Sequence, residues 1–248
     1  MINNLIKGKT MDLKNKIALV TGANGGLGVA IVKEFLENNI RKIYCGVRDT
    51  QKAKFLEELS NKIVLIELDL SNHTMLETNM KKIENIDLLI NNAGVNSGKR
   101  VFDDENSDFT INVQGTLKVT QLLSNKINKD GAIINITSIL ALCNLPIMGL
   151  YCASKSALHS LTQAIRAELS SKSIQVLEVL PGPIDTKMTL DESMPKASPK
   201  DIVVEIIKGL QTNQEEVYPD DFSRSIKEGL EKDSKGLEKQ FSQSVGAL

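Results

Sequence analysis

Short β-branched apolar runs alternate along the chain with segments whose apolar residues recur at helical spacing. The runs lie at residues 17–20, 42–47, 63–68, 86–90, 132–137, 174–180 and 215–218. Several are apolar nearly throughout, which is typical of strands that are buried on both faces of a parallel sheet. Strands alternating with helices indicate βαβ units. We therefore predict an α/β fold: a doubly wound sheet of about seven parallel strands with helices on both faces.

Three helices carry the clearest signals. Apolar stripes occur in the first helix, at Leu27, Ile31, Val32, Phe35 and Leu36, and in a later one, at Leu158, Leu161, Ile165 and Leu169. A third helix is predicted to begin at Pro199 with Ser198 as its cap. Beyond Asp221 we expect two short charged helices, with a solvated face over residues 227–239.

Composition and charge exclude several function classes. The chain has 248 residues, 41% of them hydrophobic and 25% charged, as in ordinary globular proteins. Thirty basic and 31 acidic residues give a net charge of −1, so no large positive field would attract nucleic acid or anionic lipid. Three cysteines are too few for a disulfide framework, and Cys45 and Cys152 are predicted to be packing residues. His73 is expected in a solvated loop and His159 on a helix face, and we expect no metal site.

Targeting signals are not predicted. Residues 1–11 lack the apolar core of a secretion signal. The most apolar stretch, residues 139–153, is interrupted by Asn144 and Pro146 and is too short for a membrane span. We therefore expect a cytoplasmic protein that does not associate with membranes.

The first strand runs into a glycine-rich loop, Thr21-Gly22-Ala23-Asn24-Gly25-Gly26-Leu27-Gly28, and an amphipathic helix follows at once. Glycines permit a tight turn and let backbone N–H groups approach a pyrophosphate, whose charge the helix N-terminus attracts. The loop could also simply be flexible. Its position between strand and helix favours dinucleotide binding.

The spacing of these glycines, together with the motifs that follow, resembles the short-chain dehydrogenase/reductase family. Asn91-Asn92-Ala93-Gly94 ends the fourth strand, and Asn112 lies in Ile111-Asn112-Val113-Gln114-Gly115. Ser138 closes the fifth strand, Tyr151-Cys152-Ala153-Ser154-Lys155 opens a helix, and Pro181-Gly182-Pro183 ends the sixth strand. The motifs occur in order over residues 14–186, and the ordered set is far more specific than any one of them.

The resemblance implies a Rossmann-type single domain over residues 1–248, with an N-terminal extension at 1–13 and a substrate-side loop and C-terminal helices at 186–248. It also implies an oxidoreductase that transfers a hydride between NADP(H) and a carbonyl/hydroxyl pair on a hydrophobic small molecule. The alternatives are an epimerase or dehydratase on the same fold, and a non-catalytic protein that senses nucleotides and binds partners.

The catalytic residues implied are Asn112, Ser138, Tyr151 and Lys155. Tyr151 and Lys155 are four residues apart and share a helix face, where the ammonium would favour the phenolate. The resemblance adds that Lys155 bonds the nicotinamide ribose and that Asn112 holds a water linking Lys155 to solvent. Ser138 would donate to the substrate oxygen. Taken singly, Ser138 would be a strand-end turn residue and Asn112 an ordinary helix residue.

Cofactor preference depends on the end of the second strand. Val47 stands where NAD-selective proteins carry an acid and Arg48 follows, which is the NADP-preferring pattern. Asp49 would favour NAD if the strand ended one or two residues later, and Gly25 stands where many NADP-binding members have a basic residue. The cofactor contacts implied are Gly22, Asn24, Gly25, Gly26, Leu27, Gly28, Arg48, Asp69 (to the adenine amino group), Leu70, Asn92, Ala93, Gly94, Tyr151, Lys155, Pro181, Gly182, Ile184 and Thr186.

The partners expected are a small-molecule carbonyl or alcohol and a second copy of the chain. Family members often pair through the helices corresponding to residues 104–126 and 149–171, which predicts a homodimer or homotetramer. The pocket walls are predicted to be apolar, at Leu140, Leu142, Leu145, Ile147, Met148, Ile184, Met188 and Met194.

Overall fold

The computed structural model describes residues 11–104, 106–190 and 194–246. Their core is one parallel sheet with the strand order β3-β2-β1-β4-β5-β6-β7. The strands are β1 (Ile17–Thr21), β2 (Lys42–Val47), β3 (Ile63–Glu67), β4 (Ile86–Asn91), β5 (Ile127–Ile136), β6 (Gln175–Val179) and β7 (Glu216–Val217). All seven predicted strands are present, so the predicted α/β class is confirmed.

Helices cover both faces of the sheet. They are α1 (Gly26–Glu37), α2 (His73–Met80), α3 (Thr116–Leu123), α4 (Gly149–Leu169), α5 (Pro199–Gln211) and α6 (Asp221–Ser242). Buried residues of α1 and α5 form one apolar cluster with alternate strand residues, and α2, α3 and the end of α4 form the other. Alternate residues of β1 enter the two clusters, which explains why this strand is apolar throughout.

Two elements differ from the predicted boundaries. Strand β5 begins at Ile127, because the polar residues before Ala132 form an irregular extension whose register with β4 shifts between Ile86 and Leu88. Asp130 within it has a φ of 59°. The helix expected over 104–126 is instead a π-helical segment, Phe109–Gly115, that continues into α3. Residue 105 lies outside the described residues.

The ends of the chain follow the predictions where they are described. Helix α6 is interrupted by the non-helical Asp233, which gives the two consecutive charged helices expected. Met11 and Leu13, the last part of the predicted N-terminal extension, are buried in the core, whereas residues 1–10 lie outside the described residues. In the described part of the chain, no helix combines the length and the apolar character needed to cross a membrane.

The topology determines where a site can form. All strands are parallel, so their carboxyl ends lie along one edge of the sheet. From β1 the chain proceeds outward to β2 and β3, and it then returns to β4 on the other side of β1. The connections that leave β1 and β4 therefore run towards opposite ends of the sheet. A crevice at that edge is the usual binding position in open α/β sheets.

Candidate functional site

The glycine loop is closely packed at the switch point between β1 and β4. Gly22 has a φ of +64°, and a Cβ on it would lie 2.9 Å from the Cα of Ala93. A Cβ on Gly28 would collide with the carbonyl oxygen of Gly22, and one on Gly26 would lie 2.7 Å from Cγ2 of Thr186. The glycines therefore allow three chain segments to meet, which is the close approach predicted from the sequence.

Hydrogen bonds fix this loop to the end of β4. The hydroxyl oxygen of Thr21 accepts from the backbone N–H groups of Asn92 and Ala93, each at 3.0 Å. The Asn92 amide donates to the carbonyl oxygens of Thr21 and Gly22, at 2.9 and 3.2 Å. The Asn-Asn-Ala-Gly motif thus holds the glycine loop in position.

The start of α1 fits a dinucleotide phosphate. Gly25 is its N-cap, and within the described residues no side chain caps the helix and no acid occupies its first turn. The first N–H groups of a helix attract anions, and bare glycines leave space for a phosphate to approach them. Asn24, Gly25 and Gly26 are exposed, whereas the side chain of Leu27 is buried in the core.

The end of β2 is followed by an exposed arginine and by an aspartate that is hydrogen-bonded to the next turn. The strand ends at Val47, and Arg48 is exposed directly after it. The Asp49 carboxylate accepts from the backbone N–H groups of Gln51 and Lys52, at 3.0 and 3.1 Å. The bond from the Lys52 backbone lowers the pKa of Asp49. Asp49 therefore caps the turn that follows β2.

Asp69 lies at the carboxyl end of β3, on the same edge of the sheet. Its Oδ1 accepts from the backbone N–H and the hydroxyl of Ser71, at 2.9 and 2.7 Å. Leu70 is buried and packs closely against Gly115. The structure thus places both residues at the predicted edge.

Tyr151 and Lys155 share one face of α4, one turn apart, as predicted. The Lys155 ammonium lies 5.7 Å from the centroid of the Tyr151 ring and donates to the carbonyl oxygen of Ile136 at 3.0 Å. Tyr151 is half-buried, while Lys155 is only 5% exposed. The lysine therefore connects the helix to the carboxyl end of β5.

Burial sets the protonation of Lys155. Desolvation lowers the pKa of Lys155 to about 8, and the negative charges of Asp108 and Glu178 oppose this shift. Both acids are buried themselves, and a hydroxyl donates to each: Ser97 to Asp108 and Thr137 to Glu178.

Asn112 lies on the π-helical segment and holds the loop that carries Gly94. Its Oδ1 accepts from the N–H of Val95 at 2.8 Å, and its amide donates to the carbonyl of Val95 and the hydroxyl of Ser154, both at 2.9 Å. A Cβ on Gly94 would lie 3.1 Å from Asn112 Oδ1 and 3.5 Å from Lys155 Nζ. Asn112, Gly94 and Lys155 therefore meet at one point.

Ser138 follows β5 and is buried. Its Oγ accepts from the N–H of Leu140 at 3.1 Å and lies 3.5 Å from the carbonyl oxygen of Pro181. Pro181 and Gly182 continue from β6, and the N–H of Gly182 donates to the Asp220 carboxylate at 2.8 Å. Ile184 forms a bridge with Ala197, so the loop after β6 is held at both ends.

Sequence reasoning missed the roles of His159 and Asp108, and it placed His73 in a loop. His159 lies on a helix as expected, but its Nδ1 also lies 2.9 Å from Oε2 of the buried Glu178, a contact that was not predicted. His73 begins α2 instead of lying in a loop, and it is exposed as expected. Asp108 gave no signal either, because its partner lies in a different loop. Cys45 and Cys152 are buried as predicted, and burial raises the pKa of Cys45 to about 12.

Comparison with known proteins agrees with this geometry. A family model described as short chain dehydrogenase matches residues 16–196. An uncharacterized oxidoreductase of Staphylococcus saprophyticus is 29% identical over 218 residues, which are 81% of this chain and 93% of that protein. A 3-oxoacyl-(acyl-carrier-protein) reductase of Rickettsia bellii is 30% identical over 185 residues, 72% of this chain and 77% of the relative.

Among solved structures, a short chain dehydrogenase from Burkholderia cenocepacia in complex with NADP is similar over nearly the whole chain. Its TM-score is 0.86 at 34% sequence identity, and the match covers 93% of this chain and 99% of that one. The likeness therefore includes the C-terminal part that lies beyond the family model.

The burial of Lys155 predicts a specific pH dependence of stability. The buried ammonium destabilises the fold below pH 8, and the penalty disappears as the pH rises from about 8 towards the ordinary lysine value of 10.5. Relative to Lys155→Met, the wild-type free energy of unfolding should therefore rise by about 1.4 kcal/mol per pH unit in that window. Denaturant unfolding of both proteins from pH 6 to 10.5 measures the difference, and a flat difference curve would contradict it.

Proposed function

The chain belongs to the short-chain dehydrogenase family and is an NAD(P)-dependent oxidoreductase; within that class, we propose that it interconverts a carbonyl and a hydroxyl group with NADP(H) as the cofactor. One observation carries the proposal: the Lys155 ammonium lies beside the Tyr151 ring, against Gly94 and Asn112, at the edge where the glycine loop opens α1. A proton donor and a nucleotide site therefore adjoin each other.

The chain's own residues account for the polar half of the reaction. The nicotinamide, when bound, supplies or accepts the hydride. Tyr151 gives its phenolic proton to the carbonyl oxygen during reduction, and the Lys155 ammonium beside its ring stabilises the phenolate that remains. Ser138 donates to the same substrate oxygen and stabilises its developing charge. Asn112 fixes Val95 and so holds Gly94 against Lys155, which the resemblance assigns to the nicotinamide ribose.

The proposed preference for NADP is supported by the end of β2. Arg48 is exposed where the strand ends, and a guanidinium matches the geometry of a 2′-phosphate. The Asp49 carboxylate, which would favour the ribose hydroxyls of NAD, is turned towards the following turn, where its Oδ1 accepts from two backbone N–H groups. The similar Burkholderia protein was solved with NADP.

A hydrophobic substrate is supported by the loop after β4. The backbone N–H of Leu150 donates to the carbonyl of Lys99 at 3.3 Å, so this loop lies against the start of the helix that carries Tyr151. On it, Val101 is 58% and Phe102 98% exposed. Met188, after β6, is also exposed. Apolar side chains left exposed on a loop that contacts the start of α4 favour an apolar substrate.

We also propose a symmetric dimer, or a tetramer, through α3 and α4. Ala164 is exposed and Leu161 and Ile165 are only partly buried, which leaves apolar surface on α4 that its own sheet does not cover. A two-fold axis would pair this surface with itself. Light scattering at micromolar concentration should give at least twice the 27.2 kDa chain mass, and Leu161→Glu should lower it. A wild-type mass of one chain would refute the proposal.

Removing the Tyr151 hydroxyl tests the chemistry. Tyr151→Phe should retain the fold and near wild-type NADPH affinity, while turnover of a reducible carbonyl falls by about 10²–10⁴-fold because the positioned acid is lost. NADPH oxidation across a panel of aldehydes, ketones, quinones and 3-oxoacyl thioesters identifies the carbonyl. Tyr44→Phe is the matched control, since its hydroxyl bonds Glu84 far from the site. Retained activity in Tyr151→Phe would refute the mechanism.

Replacing the cation after β2 tests the cofactor preference. Arg48→Ala should weaken NADPH binding by about 1.5–3 kcal/mol, through the loss of charge-assisted hydrogen bonds to the 2′-phosphate, and leave NADH binding nearly unchanged. Fluorescence titration of both cofactors measures the effect. Arg41→Ala, just before the other end of β2, provides a control of equal charge. Tighter wild-type binding of NADH than of NADPH would contradict the assignment.

A further inference from the structure

A fully buried carboxylate that has no role in the proposed chemistry lies beneath α4. Glu178 is on β6, and its side chain is completely excluded from solvent. The hydroxyl of Thr137 donates to its Oε1 at 2.8 Å, and Nδ1 of His159 lies 2.9 Å from its Oε2. An isolated buried charge is costly, so a carboxylate with two anchoring donors is a built feature of this core.

The two residues that hold Glu178, His159 and Thr137, both adjoin residues of the candidate site. His159 lies on α4 one turn after Lys155 and two turns after Tyr151, with its side chain 19% exposed. Its Nε2 lies 3.0 Å from the Gln163 side-chain amide, which assigns the proton to Nδ1 and makes this nitrogen the donor to Glu178. The carboxylate is thus attached to the helix that positions the tyrosine and the lysine.

Thr137, the other anchor, separates two residues of the site. On one side is Ile136, whose carbonyl oxygen accepts from the Lys155 ammonium at 3.0 Å; on the other is Ser138. Glu178 therefore holds the chain between the lysine's anchor and the serine, while His159 ties the same carboxylate to α4.

We propose that Glu178 is a positioning residue whose buried negative charge, anchored by Thr137 and His159, keeps Lys155 in its ammonium form beside Tyr151. The proposal rests on the role assigned above to Lys155. Burial in this dry position favours loss of the proton, and the negative charges of Asp108 and Glu178 both oppose that loss. Burial raises the pKa of Glu178, while the hydrogen bonds from Thr137 and His159 act to lower it and so favour the anion.

Two other acids bear on the same group. Asp108, which precedes the π-helical segment, is the second buried carboxylate whose charge favours the Lys155 ammonium. Glu216 on β7 has a carboxylate oxygen within 4.8 Å of those of Glu178 and of the His159 ring, but it is only partly buried and accepts from the Tyr218 hydroxyl at 2.7 Å. Glu216 is therefore a natural control: the same charge in the same cluster, without the bond to Thr137.

The test measures the protonation of Lys155 without any turnover. The difference in unfolding free energy between Lys155 and Lys155→Met proteins, followed against pH, begins to change at the folded-state pKa of this lysine. Repeated in a Glu178→Gln background, the onset should move to lower pH by about 0.5–1 unit, because an anion that favours the ammonium is gone. Glu178→Asp should restore it towards the wild-type position.

Variants of Glu216 and His73 serve as controls for this test. The exposed His73→Asn should leave the onset within error of wild type, and Glu216→Gln should not lower it, because the charge of Glu216 raises the pKa of Glu178. An onset unmoved by Glu178→Gln, or moved equally by Glu216→Gln, would overturn the proposal. Should Glu178→Gln fail to fold, His159→Leu removes one anchoring donor and should shift the onset in the same direction by less, while His159→Asn retains the donor and the onset. An unmoved onset in His159→Leu would then overturn it.

The same shift can be measured kinetically, from the pH dependence of kcat with the carbonyl compound that the wild-type enzyme reduces. The alkaline limb of kcat should move to lower pH in Glu178→Gln, with the KM for NADPH changed less than kcat. If the reductase assays fail, the stability curves still decide the role of Glu178. If Tyr151-dependent reduction is found and the onset does not move, only the role of Glu178 is refuted.

Discussion

The buried ammonium of Lys155 is the constraint that organises the site. A charge held almost entirely out of water must be satisfied from several directions, and each direction is a different element of the fold. The carbonyl of Ile136 comes from β5, the Tyr151 ring from α4 itself, and the two acids from the π-helical region and from β6. Within the fold, each of these elements offsets part of the cost of burying the charge, so the ammonium at this position depends on the complete tertiary structure.

The nucleotide side of the crevice is organised by a different contact. Asn92 donates hydrogen bonds from its backbone and its side chain to Thr21, across the ends of β1 and β4, and the glycine loop follows Thr21 directly. In a parallel sheet the carboxyl ends of all strands share an edge, so two fixed ends suffice to align the crevice with Lys155. The loop can then consist largely of glycines, because hydrogen bonds from the end of β4 set its position.

Local patterns predicted most of the fold, because β-branched runs buried on both faces and amphipathic helices are encoded by neighbouring residues. They failed where the strand is polar: the predicted run began at Ala132, whereas β5 begins at Ile127. The candidate site was predictable from ordered motifs, since Ser138 or Asn112 alone would have been taken as a structural residue. The pairing of His159 with Glu178 gave no signal, because it joins residues 19 apart that only tertiary packing brings together.

The π-helical segment that carries Asn112 has a consequence for how this chain tolerates change in length. The hydrogen bonds of such a segment join residues five apart instead of four, so one extra residue is accommodated, and each residue of an α-helix rotates the chain by about 100°. Loss of a single residue between Phe109 and Gly115 would let the segment relax into an ordinary helix continuous with α3. The packing of α3 could survive that change, but Asn112 would turn away from Val95. The extra residue thus lets α3 pack against the core while the Asn112 amide faces Val95.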